Sequence, residues 1–408
     1  MYKLIKTPSR LNPFLAAFSD LFTRPSFKSF CNMISAIAVC SKSKTISNLH
    51  CIMSNNHKDK KSSSSYNWFL KDAKWDADEV AQRKAELFFN AINLKENDRL
   101  LLIIDDTYNT KKGKHTEGVG RFYDHSKGYI WGNNFVTSVL QSNGVFIPHK
   151  AKMYVKKDEA DEDFRTKIQI AFEDIIEPLG VPDGVELMIV FDSWWFSSHF
   201  ITDCRELDYH VTCQLKSDKL VVPDDGTALQ VADYANKFNT DDYKITRIEV
   251  RGKKKRYLTV ERIVKLDKIG DVKLIISKRR RDTDPRYYIS TNTNLTGAEI
   301  LSIYEDRWNI ETAHREANQK LGFKDYQLRS KKAIERFIQL VFSIWTGLLI
   351  LELNNPDESR KPKTIGEMVD EIRAEGIVEL VKNILEYFNL PIPDGGLLYL
   401  IREMGIKT

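Results

Sequence analysis

The sequence has no C-x-x-C pair, and its five cysteines are an odd number. A disulfide framework or a structural zinc site would need paired or closely spaced cysteines, so neither is expected. His50, Cys51 and His57 lie near one another, but their spacing fits no standard zinc pattern. The chain also contains no internal repeat. The length of 408 residues, with 42% hydrophobic and 29% charged residues, predicts an ordinary soluble globular protein of two or three structural units.

Signals for export or for a membrane are missing as well. The N-terminus carries Lys3, Lys6 and Arg10, but it has no sustained apolar run and no small-residue cleavage site. The most apolar stretch, FIQLVFSIWTGLLILEL at residues 337–353, includes Gln339 and Glu352 and is short for a span, so we interpret it as a buried helix. We expect a soluble cytoplasmic protein with no membrane partner.

Positive charge is concentrated at the N-terminus. Residues 1–62 contain ten Lys and Arg against two Asp and Glu, within a chain of formal net charge +5. An anionic partner such as nucleic acid is one interpretation of this surplus, and a solvated tail is the other. The same segment has the rhythm of helix, turn and helix, which is typical of a DNA-reading motif and also of any two packed helices.

The order of apolar segments predicts the core. RLLLIID at residues 99–105, ELMIVFD at 186–192 and DYHVTCQLK at 208–216 are typical of buried strands. A β meander broken at Gly128 and at Asn143–Gly144 follows the first strand, and a helix is predicted over 157–180. Three strands, a helix, a strand, a short helix and another strand match the first part of a ribonuclease-H-like mixed-sheet core.

Five regions are therefore predicted along the chain. Residues 1–66 form a basic helical region, the candidate nucleic-acid-binding part, and close with a polar linker at 55–67. The ribonuclease-H-like domain begins at 67–216 and is completed by 296–353, which contains a long helix at 296–322. Between these parts, residues 217–295 form a β-rich insertion that does not continue the core. A helical region, 354–408, follows, with a helix around 365–388 and a short segment after Pro393.

Three acidic residues are the candidate catalytic groups. Asp105 and Asp192 each end an apolar strand, where an unpaired carboxylate is costly to bury and where ligands of α/β sheets gather. Glu311 shares one helical face with Tyr304, Arg307, Trp308, His314, Arg315 and Asn318. Turn or cap aspartates and a solvated ion-pair face are the structural alternatives. Carboxylates suit two Mg²⁺ ions, with Mn²⁺ as an alternative, in phosphodiester cleavage.

Here the sequence resembles a known family. YEDRWNIETAHREANQK is similar to the Y-x2-R-x3-E-x6-K signature of a group of DDE insertion-sequence transposases. LIIDDTYNTKKGKHTEGVG resembles the first-Asp block of that group, and MIVFDSWWFSSHF resembles the second. The resemblance covers roughly residues 99–345 and implies a ribonuclease-H-like catalytic domain.

The resemblance also implies residue roles. Asp105, Asp192 and Glu311 match the metal-binding triad, with Asp106 as an alternative register for the first acid. The last signature position is Asn318 rather than Lys, so Lys320 or Arg315 is left to supply that cation. The DNA-binding residues implied or suggested by charge are Tyr304, Arg307, Trp308, Arg315, Lys320, Lys278, Arg279, Arg280 and Arg281, together with the cluster at 251–256 and Lys111, Lys112 and Lys114.

The implied function is end cleavage and strand transfer. Its partners are double-stranded DNA, namely inverted repeats and target, and a second copy of the chain in a synaptic dimer. The implied route passes through a DNA hairpin, with Trp308, Trp194 or Trp195 as candidates to stack on an extruded base. The alternatives are a transposase-derived DNA-binding protein without catalysis and a ribonuclease-H-like nuclease that does not transpose.

Overall fold

The computed structural model describes residues 7–53, 61–124, 128–160, 164–280, 283–355, 361–389 and 391. Its N-terminal part is helical, with α1 (Asn12–Ala16), α2 (Arg24–Val39), α3 (Ile46–Ile52), α4 (Ser63–Lys71) and α5 (Ala77–Ala91). The Ser62 side chain caps α4, so helix occupies residues 63–67, the last five positions of the predicted linker at 55–67. That part of the linker prediction is wrong, and residues 54–60 lie outside the described part.

A mixed sheet follows the helices. Its first half consists of β1 (Arg99–Thr110), β2 (Gly120–Asp124), β3 (Gly128–Ser142), β4 (Val145–Tyr154), α6 (Lys167–Ala171), β5 (Glu186–Phe191), α7 (Ser198–Glu206) and β6 (His210–Leu215). Strands β1, β5 and β6 are parallel, β3 is antiparallel to β1, and β2 and β4 are antiparallel to β3. This arrangement confirms the ribonuclease-H-like fold class, with one more strand before the helix than predicted.

Two predicted boundaries in this half are wrong. Strand β1 does not end at Asp105 but continues to Thr110, because β3 keeps pairing with it after the pairing with β5 has ended at Ile103 and Val190. The helix predicted over 157–180 begins only at Lys167, where Thr166 and Gln169 form a capping box, and it passes into a π-helical turn at Phe172–Ile176.

The insertion extends the same sheet. It contains β7 (Leu220–Val221), β8 (Leu229–Gln230), α8 (Val231–Asn236), β9 (Lys244–Val250), β10 (Lys253–Leu266), β11 (Gly270–Lys278) and β12 (Arg286–Ser290). Residues 217–295 are β-rich as predicted, but the expectation that they do not continue the core is wrong, because β12 pairs antiparallel with β6. The order is β2-β3-β1-β5-β6-β12-β11-β10-β9.

Strand directions place several segments at one edge of the sheet. We call the edge at which β1, β5 and β6 end the carboxyl edge. Strand β11 is antiparallel to β12, which is antiparallel to β6, so β11 also ends at this edge, at Lys278. The β9–β10 hairpin, which turns at Arg251 and Gly252, extends from the same edge.

The chain closes with α9 (Gly297–Asp306), α10 (Trp308–Leu321), α11 (Lys331–Asn354) and α12 (Ile365–Tyr387). The single helix predicted at 296–322 is thus two helices that meet at Arg307. Helix α11 is long and apolar enough to cross a membrane, but 67% of its most apolar window is buried, as predicted for a core helix. The segment after Pro393 lies outside the described residues.

The N-terminal helices share the core of the remaining chain. Buried side chains of α2 pack against α11 and α12. Helix α3, which follows α2 in the predicted helix, turn and helix segment, contains no lysine or arginine. Several N-terminal cations are engaged internally: Arg10 pairs with Glu375, and Lys44 is buried. A DNA-binding role of residues 1–66 therefore stays a prediction without a basic α3 to support it.

The close pairing of β1 with β3 yields the first prediction. A Cβ at Gly132 would overlap the backbone oxygen of Asn109, whereas a Cβ at Gly113 would meet nothing within 4 Å. We expect Gly132→Ala to lower the free energy of unfolding by about 1–3 kcal/mol, because the strands must separate. Urea unfolding measures this, with Gly113→Ala as the matched control. Equal urea midpoints for the two variants would show that β3 accommodates the methyl group.

Candidate functional site

The three candidate acids come from three elements near the carboxyl edge. Asp105 lies within β1, Asp192 directly follows β5, and Glu311 lies in the first turn of α10. The parallel register pairs Ile103 with Val190, so two residues later Asp105 and Asp192 come to neighbouring positions. The side chain of Asp192 accepts a hydrogen bond from the backbone N–H of Trp194 at 2.8 Å, which fixes its turn.

Arg307 joins two of the acids. Its Nη1 is 3.2 Å from Asp105 Oδ2, and its Nη2 is 3.2 Å from Glu311 Oε1. The guanidinium is mostly buried, and its Nε has no hydrogen-bond partner. Burial lowers the pKa of Arg307, but Tyr304 and the carboxylates Asp105 and Glu311 raise it more, so the side chain remains charged. The junction of α9 and α10 is thereby tied to β1.

The environment of Asp105 disfavours its charge. Burial, with smaller contributions from the neighbouring Asp106 and Asp192, raises the pKa of this carboxyl to about 7 despite the opposing effect of Arg307. A carboxyl group with a pKa near neutrality, surrounded by other acids, is typical of functional sites.

Adjacent aspartates face opposite sides of β1. Asp106 forms an ion pair with Lys167 of α6 and accepts a hydrogen bond from Asn134 Nδ2 at 2.9 Å. Asp105 instead shares the face of Arg307 and Glu311. Of the two registers left open by the sequence, the geometry favours Asp105 as the acid of this site.

The other signature positions differ in accessibility. Tyr304 donates a hydrogen bond to Gln214 Oε1 at 2.9 Å, and its ring lies 4.7 Å from that of Tyr288, so it is held against β6 and β12. Burial raises the pKa of its hydroxyl. Trp308 and Arg315 are exposed on α10. Tyr304 therefore supports the site from within, whereas Trp308 and Arg315 are accessible to a ligand.

The missing signature lysine has a candidate that the sequence analysis overlooked. Lys320 is nine residues beyond Glu311, so it lies on the opposite side of α10, where it pairs with Asp370 at 3.2 Å. After the left-handed Gly322, however, Lys324 returns to the sheet, and its Nζ is 3.3 Å from Thr107 Oγ1. Thr107 shares the face of Asp105. Helical spacing gave no sign of this contact, because Lys324 follows the helix end.

His314 fixes α10 to the sheet. Its Nε2 is 2.8 Å from the hydroxyl of Thr137, whose Oγ1 also contacts the Asp105 backbone oxygen at 2.9 Å. Its ring stacks on Phe323. Desolvation lowers the pKa of His314 to about 3, so the imidazole is neutral at physiological pH. The sequence alone predicts only that His314 shares the helix face of Glu311.

The tryptophans near Asp192 divide into two kinds. Trp195 is 1% exposed and belongs to the core, so it is not accessible to an extruded base as proposed from the sequence. Trp194 is 52% exposed, and Lys167 Nζ lies 4.9 Å from its ring centre. Trp194 and Trp308 remain accessible candidates.

Basic residues of the insertion lie at the carboxyl edge. A cavity of about 430 Å³ is lined by Arg256, Lys278, Arg279 and Arg280 together with aromatic residues such as Tyr243. Arg281 lies outside the described residues. On the other side of the hairpin, Glu305 binds Lys255 at 2.6 Å, which fastens the β9–β10 hairpin to α9, beside Tyr304.

The fit of a divalent metal depends on Arg307. Among the described residues, no three acidic, histidine or cysteine side chains lie close enough together to hold an ion. Arg307 stands between Asp105 and Glu311, and its guanidinium supplies the positive charge there. The donor chemistry nevertheless suits Mg²⁺ or Mn²⁺, because Asp105, Asp192 and Glu311 offer hard oxygen atoms and Asp105 lacks sufficient stabilisation of its charge.

The raised pKa of Asp105 predicts a stability cost. Because the folded-state pKa of about 7 exceeds the ordinary 3.8, the stabilising contribution of this carboxyl is present below pH 4 and is lost as the pH rises to 7. We expect Asp105→Asn to increase the free energy of unfolding at pH 8 by about 1–4 kcal/mol, measured by urea unfolding with a chelator. The gain should vanish near pH 4.

The exposed Asp218→Asn serves as the matched control and should leave stability unchanged at both pH values. If Asp105→Asn and the wild type unfolded at the same urea concentration at pH 8, the pKa of the Asp105 carboxyl would not be raised in the folded protein.

Two family profiles match this chain. One, described as DDE superfamily endonuclease, matches residues 17–237, which is more than half of the chain, and the other, described as transposase DDE domain, matches residues 171–346. A comparison with curated proteins finds no match. The two profiles together cover all three candidate acids and confirm the resemblance to DDE transposases, although they do not test the Y-x2-R-x3-E-x6-K signature itself. The chain therefore belongs to the DDE superfamily of endonucleases and transposases.

Proposed function

We propose that this protein is an active transposase that cuts DNA at inverted repeats and joins the cut end to a target. The observation that carries the proposal is the grouping of Asp105, Arg307 and Glu311, with Asp192 at the neighbouring strand position. A member of this superfamily is a nuclease in general. Intact acids at all three positions favour a catalytic protein over one that only binds DNA.

The acids would hold divalent ions and the arginine would hold substrate. When bound, two such ions activate the attacking oxygen and stabilise the leaving one. Asp105, Asp192 and Glu311 are the residues to hold them. For this, Arg307 must leave its bridge between Asp105 and Glu311, and a DNA phosphate is an acceptor to which its planar guanidinium can turn. Arg307 would thus exchange a carboxylate partner for the scissile phosphate.

Cations at the carboxyl edge would grip the flanking DNA. On one side of the acids lie the basic residues of the insertion, namely Lys278, Arg279, Arg280 and the hairpin at 251–256. Within the site, Lys324 lies beside Thr107. We infer that Lys324, not Lys320, supplies the phosphate contact for which Asn318 is unsuited. A hairpin intermediate, a synaptic dimer, end binding by residues 1–66 and a cytoplasmic, nucleoid-associated location are further parts of the proposal.

The catalytic assignment predicts a loss of cutting without a loss of binding. We expect Asp192→Asn to reduce magnesium-dependent nicking of duplex DNA carrying the flanking inverted repeats at least about 100-fold. The reason is that the substitution removes one of the three carboxylates proposed to hold the metal ions. Gel analysis of end-labelled DNA measures nicking, and anisotropy measures binding. Asp218→Asn should cut like the wild type.

Two results would contradict the proposal. Intact cutting by Asp192→Asn would remove this residue from the active site. A wild-type protein that binds the repeats but never cuts would instead be a DNA-binding protein of transposase origin.

The lysine assignment predicts different results for two neighbouring side chains. Lys324→Gln should lower kcat/KM for cutting about 10-fold and reduce the salt slope of DNA binding by about one unit, because a phosphate contact is lost. Lys320→Gln should change neither, since its partner is Asp370. A larger effect at Lys320 than at Lys324 would reverse the assignment.

A further inference from the structure

The β2–β3 hairpin presents aromatic side chains to solvent. Tyr123, Tyr129 and Trp131 are 53%, 66% and 37% exposed, whereas Phe122 and Ile130 on the other face of the hairpin are buried. The register pairs Tyr123 with Tyr129 and Arg121 with Trp131, so these four side chains share one face. We call them the aromatic ladder. Exposed rings grouped in this way, unlike scattered ones, are typical of binding surfaces.

Positive charge accompanies the rings. The Arg121 guanidinium lies 4.0 Å from the centre of the Tyr129 ring, and the rings of Tyr123 and Tyr129 meet edge to face at 5.3 Å. Trp131 Nε1 donates to the backbone oxygen of Gly113 at 3.3 Å, which holds the loop with exposed Lys112 and Lys114 against the ladder. The surface therefore combines stacking groups with cations.

The ladder lies beyond the carboxyl edge and on the face of Asp105. In β3, Thr137 pairs with Asp105, and Asn133, Phe135 and Thr137 all contact residues of the α10 side of the sheet. Residues two apart in a strand share a face, so Trp131 and Tyr129 continue this row. Trp131 is six residues from Thr137, which places it about 20 Å from Asp105 at ~3.4 Å per residue.

We propose that the aromatic ladder binds unpaired nucleotides of the DNA strand that leads away from the active site, through base stacking and phosphate contacts. The inference rests on the proposed function, since it takes DNA as the substrate. Rings stack on bases whose faces are free, and such stacking tolerates any sequence, whereas in a duplex neighbouring bases cover those faces. Arg121, Lys112 and Lys114 complement the phosphates.

The experiment measures binding of a fluorescent 20-nucleotide oligo-dT and of a 20-base-pair duplex by anisotropy, with the full chain and a chelator to prevent cutting. Tyr129→Ala/Trp131→Ala should weaken oligo-dT binding at least roughly 30-fold, because each of the two rings contributes about 1–3 kcal/mol of stacking. Duplex binding should change less than twofold. The salt slope for oligo-dT should stay the same in this variant and fall in Arg121→Gln.

Matched variants separate stacking from folding. Trp131→Phe loses the hydrogen bond to Gly113 but keeps a ring, so it should bind nearly like the wild type. Trp68→Ala removes an exposed tryptophan on α4 and should have no effect. The double variant should unfold at a urea concentration close to that of the wild type, since within the described part of the chain the two side chains contact only other exposed groups of the hairpin and the loop at Gly113.

Several outcomes would overturn the inference. Equal oligo-dT binding by the double variant and the wild type, or an equal loss for duplex and oligo-dT, would exclude stacking on unpaired bases. A wild-type dimer that the double variant converts to a monomer in light scattering, with DNA binding intact, would make the ladder a protein interface. Failure of the wild type to bind any DNA would instead refute the proposed function.

Discussion

The ion-pair bridge from Asp105 through Arg307 to Glu311 is the interaction on which the site depends. It joins a central strand to the junction of two helices that follow it by some two hundred residues, and it holds three charges in a largely buried place. Such a pair contributes less to stability than its geometry suggests, because each group loses its water. The raised pKa of Asp105 is the sign that its charge is not fully compensated. The incompletely compensated charge of Asp105 lowers the stability of the folded protein, and a divalent cation at the site would offset this cost.

Neutral contacts around the bridge keep it in register. His314, which desolvation holds uncharged, connects α10 to Thr137 opposite Asp105, and Tyr304 connects α9 to Gln214 of β6. Each of these side chains is within a few residues of a charged one on the same helices. The helices are therefore positioned by uncharged hydrogen bonds, which leaves the charged groups able to change partners.

Much of the fold followed from hydropathy, and the rest required pairing information. Apolar runs located β1, β5 and β6, because strands buried on both faces have few polar residues. The same logic placed the end of β1 at Asp105, but a strand lasts as long as it has a partner, and β3 supplied one up to Thr110. Strand pairing also explains why the sequence predicts an insertion outside the core sheet. The strands of the insertion alternate in polarity, and the sequence does not reveal that β12 pairs with β6.

The candidate site was predictable where local spacing determines contact. Arg307 and Glu311 lie four residues apart on a helix, so their contact follows from the sequence. Local spacing does not identify the lysine of the site. Helical geometry places Lys320 on the side of α10 away from Glu311. Lys324 reaches β1 only because the chain turns at Gly322, which is a feature of the tertiary structure. The sequence shows aromatic residues at alternate positions of the β2–β3 hairpin, but it does not show where the hairpin lies relative to Asp105.

Continuity of the sheet has a mechanical consequence. From β5 to β11 there are three strand spacings, about 14 Å at ~4.8 Å each, a span similar to the ~12 Å width of a DNA major groove. Backbone hydrogen bonds fix this span, with no hinge between the acids and the cations at the end of β11. In the proposed complex it is therefore the DNA and not the sheet that adjusts its shape, because the distance between these two places can change only if a strand is gained or lost.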